Sequence, residues 1–388
     1  GIALYHDGVR PVLPSYLQGE MSRREVSRLS VTLSMSFILL MGIPVSIVSG
    51  VLVVYPLLLG ADIIGLSIPS LPLAALAGAG LGFGLSSVLH ALPDLYWMLP
   101  VNPMEAFTLV VQPVVQAFFI VPALAIGYRF GKGKGLTVLL GTLATKQLGQ
   151  VVLSAAAADL LAMAVGTVVL LTLCLSPRNS AAPPVDQSLL PNHQRLRRAL
   201  VPLVVMGGLI GVASHMRLVA GEPIAAALLA ADRVRPAAAI AIFSALGFLP
   251  LVAPTSLMTG THATGGICDW ILGIAYLAPT WYLGGLAGAA VMALEVTGLL
   301  ILNRWMDVFP GLRVVGESIR TAMMTYLDVT LLVGGFMASA VLWPGNGVAL
   351  LAGFYLTNEL AGRPVARMAV GPLGAILTAA AVNVLALL

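Results

Sequence analysis

Charge is so scarce in this chain that it decides the solvent. Its 388 residues include only 20 Lys and Arg and 16 Asp and Glu, 9% in all, against 59% apolar residues. A water-soluble domain carries about 25% charge. A chain this long with so few charges cannot coat itself for water. A cytosolic enzyme, a nucleic-acid-binding domain and a disordered chain are excluded, and lipid is the main solvent. One transmembrane helix takes roughly 20 apolar residues, so the length accommodates about 9–11 crossings. The expected fold class is all-α: a polytopic integral membrane helix bundle with broken or re-entrant segments, open to a build of two repeated halves.

The few basic residues orient the bundle, because cytoplasmic loops are enriched in Lys and Arg. Arg10, Arg23, Arg24 and Arg28 mark one such face, Arg129, Lys132 and Lys134 a second, and Arg304, Arg313 and Arg320 a third. The stretch 176–199 is polar, proline-rich and basic, with Pro177, Pro183, Pro184, Pro191, Arg195, Arg197 and Arg198. It reads as a cytoplasmic linker between an N-terminal half, 1–175, and a C-terminal half, 200–388. Such a division suits an internally repeated transporter, although no sequence repeat is evident.

Charge counting also exposes a conflict. If 29–52 runs outward and 105–127 returns, then 68–90 starts and ends on the same side. Its Gly78, Gly80, Gly82 and Gly84 make a re-entrant hairpin broken at the glycines one solution; a plain span is the other. The residues just before it, around Asp62, read as a loop. Lys146 and Asp159 lie on successive apolar segments and are candidate mutual partners. Gly207 and Gly211 have the spacing of a close helix contact. Asp269 beside Trp270 reads as interfacial.

Soluble-enzyme motifs are missing. The glycine run 78–84 lacks GxGxxG spacing, the turn Gly131–Lys134 lacks the Walker A pattern, and no HExxH or CxxC occurs. Cys174 and Cys268 both lie in apolar runs. No cofactor, metal or nucleic acid is expected, and the chain is not expected to be an enzyme.

Three polar features stand out in the apolar background. The first is 249–266, where Pro250 and Pro254 should break the helix and Thr255, Ser256, Thr259, Thr261 and His262 supply donors and acceptors. Unwound helices with small hydroxyl residues present polar groups to a substrate in transporters. The second is Asn358, Glu359 and Arg363, with the last two at i,i+4 spacing that favours an ion pair. The third is isolated acids inside spans, Glu295 and Asp328. An ionised acid at mid-bilayer costs roughly 2.5–3.5 kcal/mol, so such residues are candidates for proton or cation coupling. Each feature also has a structural reading: a loop, a capped helix end, or a packing residue satisfied by a neighbour.

The segment Tyr5-His6-Asp7-Gly8-Val9-Arg10-Pro11-Val12-Leu13-Pro14 and the following Ser22-Arg23-Arg24-Glu25 resemble the YhfT family of bacterial integral membrane proteins. Further matches are Gly247–Leu251, Thr259-Gly260, Tyr276–Pro279, Glu295-Val296, Leu331–Gly334 and Asn358–Val365. They run in order from end to end. The resemblance implies a multi-span, transporter-like protein, and a family with one further N-terminal apolar segment. It also implies a bacterial inner-membrane location and grouping with metabolic enzymes and a small soluble protein.

The expected function is a secondary-type carrier for a small polar or anionic solute, proton- or cation-coupled. Thr255, Ser256, Thr259, Thr261, His262, Asn358, Glu359 and Arg363 would bind the solute, and Glu295 or Asp328 would carry the coupling ion. Expected partners are the solute, the lipid bilayer, a second copy in a homodimer and a small soluble protein. The alternatives are a phosphotransferase-like permease working with a soluble phosphocarrier, a membrane-embedded enzyme, and a structural membrane protein.

Overall fold

The computed structural model describes residues 22–68, 70–176, 192–259, 262, 268–308 and 310–388. The Tyr5–Pro14 motif, most of the 176–199 linker and Thr261 lie outside these residues. Seventeen α-helices are described. Among the described residues, five segments are long and apolar enough to cross a membrane: Met104–Phe130, Ala157–Leu175, Trp281–Leu302, Ser318–Leu342 and Arg367–Leu387. Shorter apolar helices include Tyr55–Ser67, Leu71–Ser87, Leu200–His215 and Val234–Leu249.

Packing divides the described chain into two compact units. One compact unit gathers Ser22–Gln116 with Thr325–Leu388; the other is the continuous stretch Ala117–Met324. In the first unit, α1 (Arg23–Phe37) starts at Ser22, whose hydroxyl accepts the Glu25 N–H while the Glu25 carboxylate accepts the Ser22 N–H. This reciprocal cap satisfies two of the amides that every helix start leaves open. A π-helical turn, Ile38–Gly42, leads into α2 (Ile43–Ser49). Next comes α3 (Tyr55–Ser67), a helix rather than the expected loop. Pro56 in its first turn costs no hydrogen bond there, and Asp62 is fully buried within it.

Of the two solutions open at 68–90, the break at the glycines does not occur. α4 (Leu71–Trp97) is one unbroken helix, and Cβ atoms at Gly78, Gly80, Gly82 and Gly84 would meet nothing within 4 Å. A glycine inside a helix costs about 1 kcal/mol relative to alanine. Opening backbone amides to hydrocarbon costs several kcal/mol per group, so the helix persists. The unit continues with α5 (Met104–Gln116).

In the second unit, a short 3₁₀ turn, Phe118–Ile120, precedes α6 (Val121–Phe130), α7 (Lys132–Val152) and α8 (Ala155–Leu175). Lys146 and Asp159 meet across α7 and α8 at 2.7 Å, and the Lys146 ammonium stands 4.6 Å over the Phe119 ring. After α9 (Asn192–Arg198) come α10 (Leu200–His215), α11 (Pro223–Ala230), α12 (Val234–Thr259), α13 (Asp269–Tyr276) and α14 (Trp281–Val308). α10 and α14 pack backbone to backbone. A Cβ on Gly211 would lie 2.3 Å from the Gly284 carbonyl oxygen, and one on Gly288 the same distance from that of Gly207. The spacing of Gly207 and Gly211 thus marks a real contact.

α15 (Pro310–Leu342), α16 (Gly347–Leu360) and α17 (Arg367–Leu387) complete the chain. Within the first unit, Tyr326 donates its hydroxyl to the Val114 carbonyl in the last turn of α5. Thr378 donates to Ser339 at 3.2 Å, and Asn383 pairs with both the N–H and C=O of Val101 at 2.9 and 3.0 Å.

Candidate functional site

The hydroxyl-rich stretch begins on α12, and that helix does not break at its prolines. It runs through Pro250 and Pro254 to Thr259. Proline inside a membrane helix is tolerated where neighbours re-satisfy the freed carbonyls, and Leu251, Val252, Ala253, Ser256 and Leu257 are all buried. The rings of Phe118 and Phe248 pack at 4.6 Å beside this segment. Thr255 and Thr259 lie in the last turns of α12. Ser256 is 1% exposed.

Beyond the helix end stands His262, with no exposed side-chain surface. Its Nε2 lies 3.1 Å from Oε2 of Glu295, whose side chain is 9% exposed. The other Glu295 oxygen is buried with no hydrogen-bond partner among the described residues. Glu295 sits on α14 about 21 Å along the axis from Trp281 at 1.5 Å per residue. Trp281 and Tyr282 are exposed, with rings edge to face at 5.8 Å, the arrangement of an interfacial aromatic belt. The His262–Glu295 pair therefore lies far from that interface, in the deeper part of an apolar span. It can hold one proton between imidazole and carboxylate, or two when the imidazole is charged and the carboxyl neutral. Two residues assigned from sequence to separate roles, solute binding and ion coupling, are thus direct partners.

A second acidic locus lies in the same unit. Asp269, expected at an interface, is buried at 2% exposure, and a Cβ on Gly221 would collide with its Oδ1. Nearby, Glu222 keeps Oε1 buried and without a hydrogen-bond partner among the described residues. Glu222 precedes α11, outside the spans, and burial pushes its carboxyl up to about 7. The Tyr276 hydroxyl donates to the Val219 carbonyl at 3.1 Å. No sequence signal marks this locus, because its members come from three separate short elements. Among the described residues no group of three His, Cys, Asp or Glu could hold a metal ion.

The remaining candidate residues belong to the first unit. Asn358 spends its amide on the turn after α16: Nδ2 donates to the Val365 carbonyl and Oδ1 accepts the Val365 N–H, both at 2.9 Å. Gly362 and Arg363 take left-handed backbone, φ 79° and 63°, and the Arg363 N–H closes on the Asn358 carbonyl at 2.8 Å. Arg363 Nε donates to Glu359 Oε2 at 2.9 Å. Arg367, which no sequence motif singles out, grips the same carboxylate with two donors, at 2.8 and 3.0 Å. Helical spacing could not find it, since a turn separates it from Glu359. Asp328 accepts the Met368 N–H in the first turn of α17, beside the Arg367 charge. It thereby caps a helix to which its own sequence neighbours do not belong.

These helices and their sparse, paired charges define the class: an all-α helical membrane protein. Within that class the chain belongs to the YhfT family, described as a protein of unknown function, which matches residues 1–388. It is also similar to a protein of Escherichia coli (strain K12) called uncharacterized protein YhfT. The two are 30% identical over 402 residues, covering 99% of this chain and 92% of that relative. No solved structure matches.

Proposed function

We propose that this chain is a secondary-type carrier that moves a small polar or anionic solute across the bacterial inner membrane, coupled to a proton. The observation that carries the reading is the His262–Glu295 pair, buried deep in an apolar span at 3.1 Å. A bundle that only fills lipid has no need of such a pair, since ionisable groups inside spans are costly and mark ion and substrate pathways. In this reading Thr255, Ser256 and Thr259 are solute-binding residues and the pair carries the coupling proton. Solute binding and pair protonation then bias one another. Asp328, already bonded to Met368 and placed beside Arg367, is the less suited of the two coupling candidates.

The test uses the purified chain in liposomes that contain a pH-sensitive dye, challenged with a panel of small sugars, amino acids and organic anions. The wild type should show solute-driven proton movement with at least one panel member. Glu295→Gln and His262→Ala should abolish that movement, and Arg363→Ala should reduce solute uptake. Full activity in all three variants would overturn the assignment.

A further inference from the structure

We propose that Arg363 and Arg367 form a binding site for a phosphate group, and that Glu359 is the resident anion which the phosphate displaces. Three guanidinium donors converge on the Glu359 carboxylate: Nε of Arg363, and Nε and Nη2 of Arg367. Two like charges are thereby held around one small acceptor. Both arginines remain open to solvent, at 54% and 41% side-chain exposure, and Glu359 itself is 21% exposed. Neither Nη group of Arg363 nor Nη1 of Arg367 has a hydrogen-bond partner among the described residues. The planar fork of arginine matches phosphate oxygens two at a time, so two adjacent forks with free donors suit a tetrahedral anion better than one carboxylate.

The turn is built to keep the forks together. Arg363 occupies left-handed backbone, which costs a residue with a Cβ about 1 kcal/mol or more. The Asn358–Val365 clasp and the bond from Arg363 N–H to the Asn358 carbonyl hold it there. The α17 N-terminus is not the acceptor site, because Asp328 already takes the Met368 amide. With Glu359 and Asp328 present the cluster is electrically balanced. A phosphate therefore binds by replacing Glu359, whose partial exposure leaves it a route outward.

A free phosphate or phosphorylated solute and the headgroup of an anionic lipid share this chemistry. The experiment separates the two sources. The full chain is placed in phosphatidylcholine nanodiscs and titrated calorimetrically with inorganic phosphate. In parallel, the protein is released from mixed phosphatidylcholine–phosphatidylglycerol discs and retained lipid is read by native mass spectrometry. Arg367→Lys and Arg363→Lys keep the charge but lose the fork, and should weaken binding about tenfold. Glu359→Gln removes the competitor and should tighten it about threefold or more. Phosphate binding with this pattern identifies a soluble ligand; selective phosphatidylglycerol retention with this pattern identifies a lipid headgroup. Either supports the site. The site is refuted if neither probe distinguishes the lysine variants from wild type, or if folded Glu359→Gln binds more weakly. Binding is read without transport, so the carrier reading stands or falls separately.

Discussion

The backbone contact between α10 and α14 gives the sharpest mutational forecast. A Cβ added to Gly211 would lie 2.3 Å from the Gly284 carbonyl oxygen and 3.1 Å from the Gly288 Cα. Ordinary contact begins near 3.4 Å, so Gly211→Ala requires the two helices to separate by roughly 1 Å. The obstacle is backbone, which cannot rotate aside as a flexible side chain can. Overpacking of this kind costs about 1–3 kcal/mol. Alanine returns up to about 1 kcal/mol through its better helix propensity. The net expectation is a loss on the order of 1–2 kcal/mol. Gly298 lies on the same α14, but a Cβ there would meet nothing within 4 Å. Gly298→Ala should therefore be neutral or stabilising by up to about 1 kcal/mol. Gly288→Ala should resemble Gly211→Ala. The double variant should cost less than the sum of the two, since one separation relieves both clashes. Equilibrium unfolding of the full chain in one detergent, with the four variants side by side, measures this. If Gly211→Ala is as benign as Gly298→Ala, the backbone-to-backbone seam is wrong.

Glu222 predicts a pH dependence. Its folded value, about 7, lies above its ordinary 4.5, so the folded state holds the proton longer than the unfolded state does. Stability should therefore fall as pH rises from about 4.5 to about 7 and stay low above that, by on the order of 3 kcal/mol. Glu222→Gln should flatten that fall, as read from unfolding midpoints at pH 5 and 8. The Lys146–Asp159 bridge is only partly exposed, at 16% and 23%. Lys146→Met and Asp159→Asn should each destabilise, and a double-mutant cycle should give a coupling of about 1–3 kcal/mol. Tyr326→Phe should cost about 1–2 kcal/mol in the same unfolding assay, because it strips the Val114 carbonyl of its buried donor.

The sequence was legible where one residue type carried the physics. Scarce charge announced the apolar helices, and Lys146 with Asp159, or Glu359 with Arg363, announced pairs because neighbouring spans or a single helical turn bring them together. It was illegible where a local rule met a lipid setting. Glycines that loosen a soluble helix left Leu71–Trp97 intact, and prolines that end a soluble helix left Val234–Thr259 continuous. An open amide is too costly in hydrocarbon for either rule to prevail. The short stretch Tyr55–Ser67 resembles a loop only if its single charge, Asp62, is taken as exposed; it is buried. The pairing of His262 with Glu295 and the second grip of Arg367 on Glu359 depend on how distant segments meet. No periodicity in the chain encodes that.

Among the described residues, the first unit is assembled from two stretches of chain with the second, Ala117–Met324, between them. This imposes an order on biosynthesis. A ribosome adding about 5–20 residues per second makes Ala117–Met324 over roughly 10–40 s before it reaches the helices that complete the first unit. During that delay Val101 has not yet met Asn383, and the Val114 carbonyl has no Tyr326 hydroxyl. The early helices must wait in the bilayer, half-assembled, while the continuous second unit has all of its own sequence in hand. Maturation of the first unit thus waits for the synthesis of Thr325–Leu388. A ribosome that stalls late would release a chain with one finished unit and one open one, a natural substrate for membrane quality control.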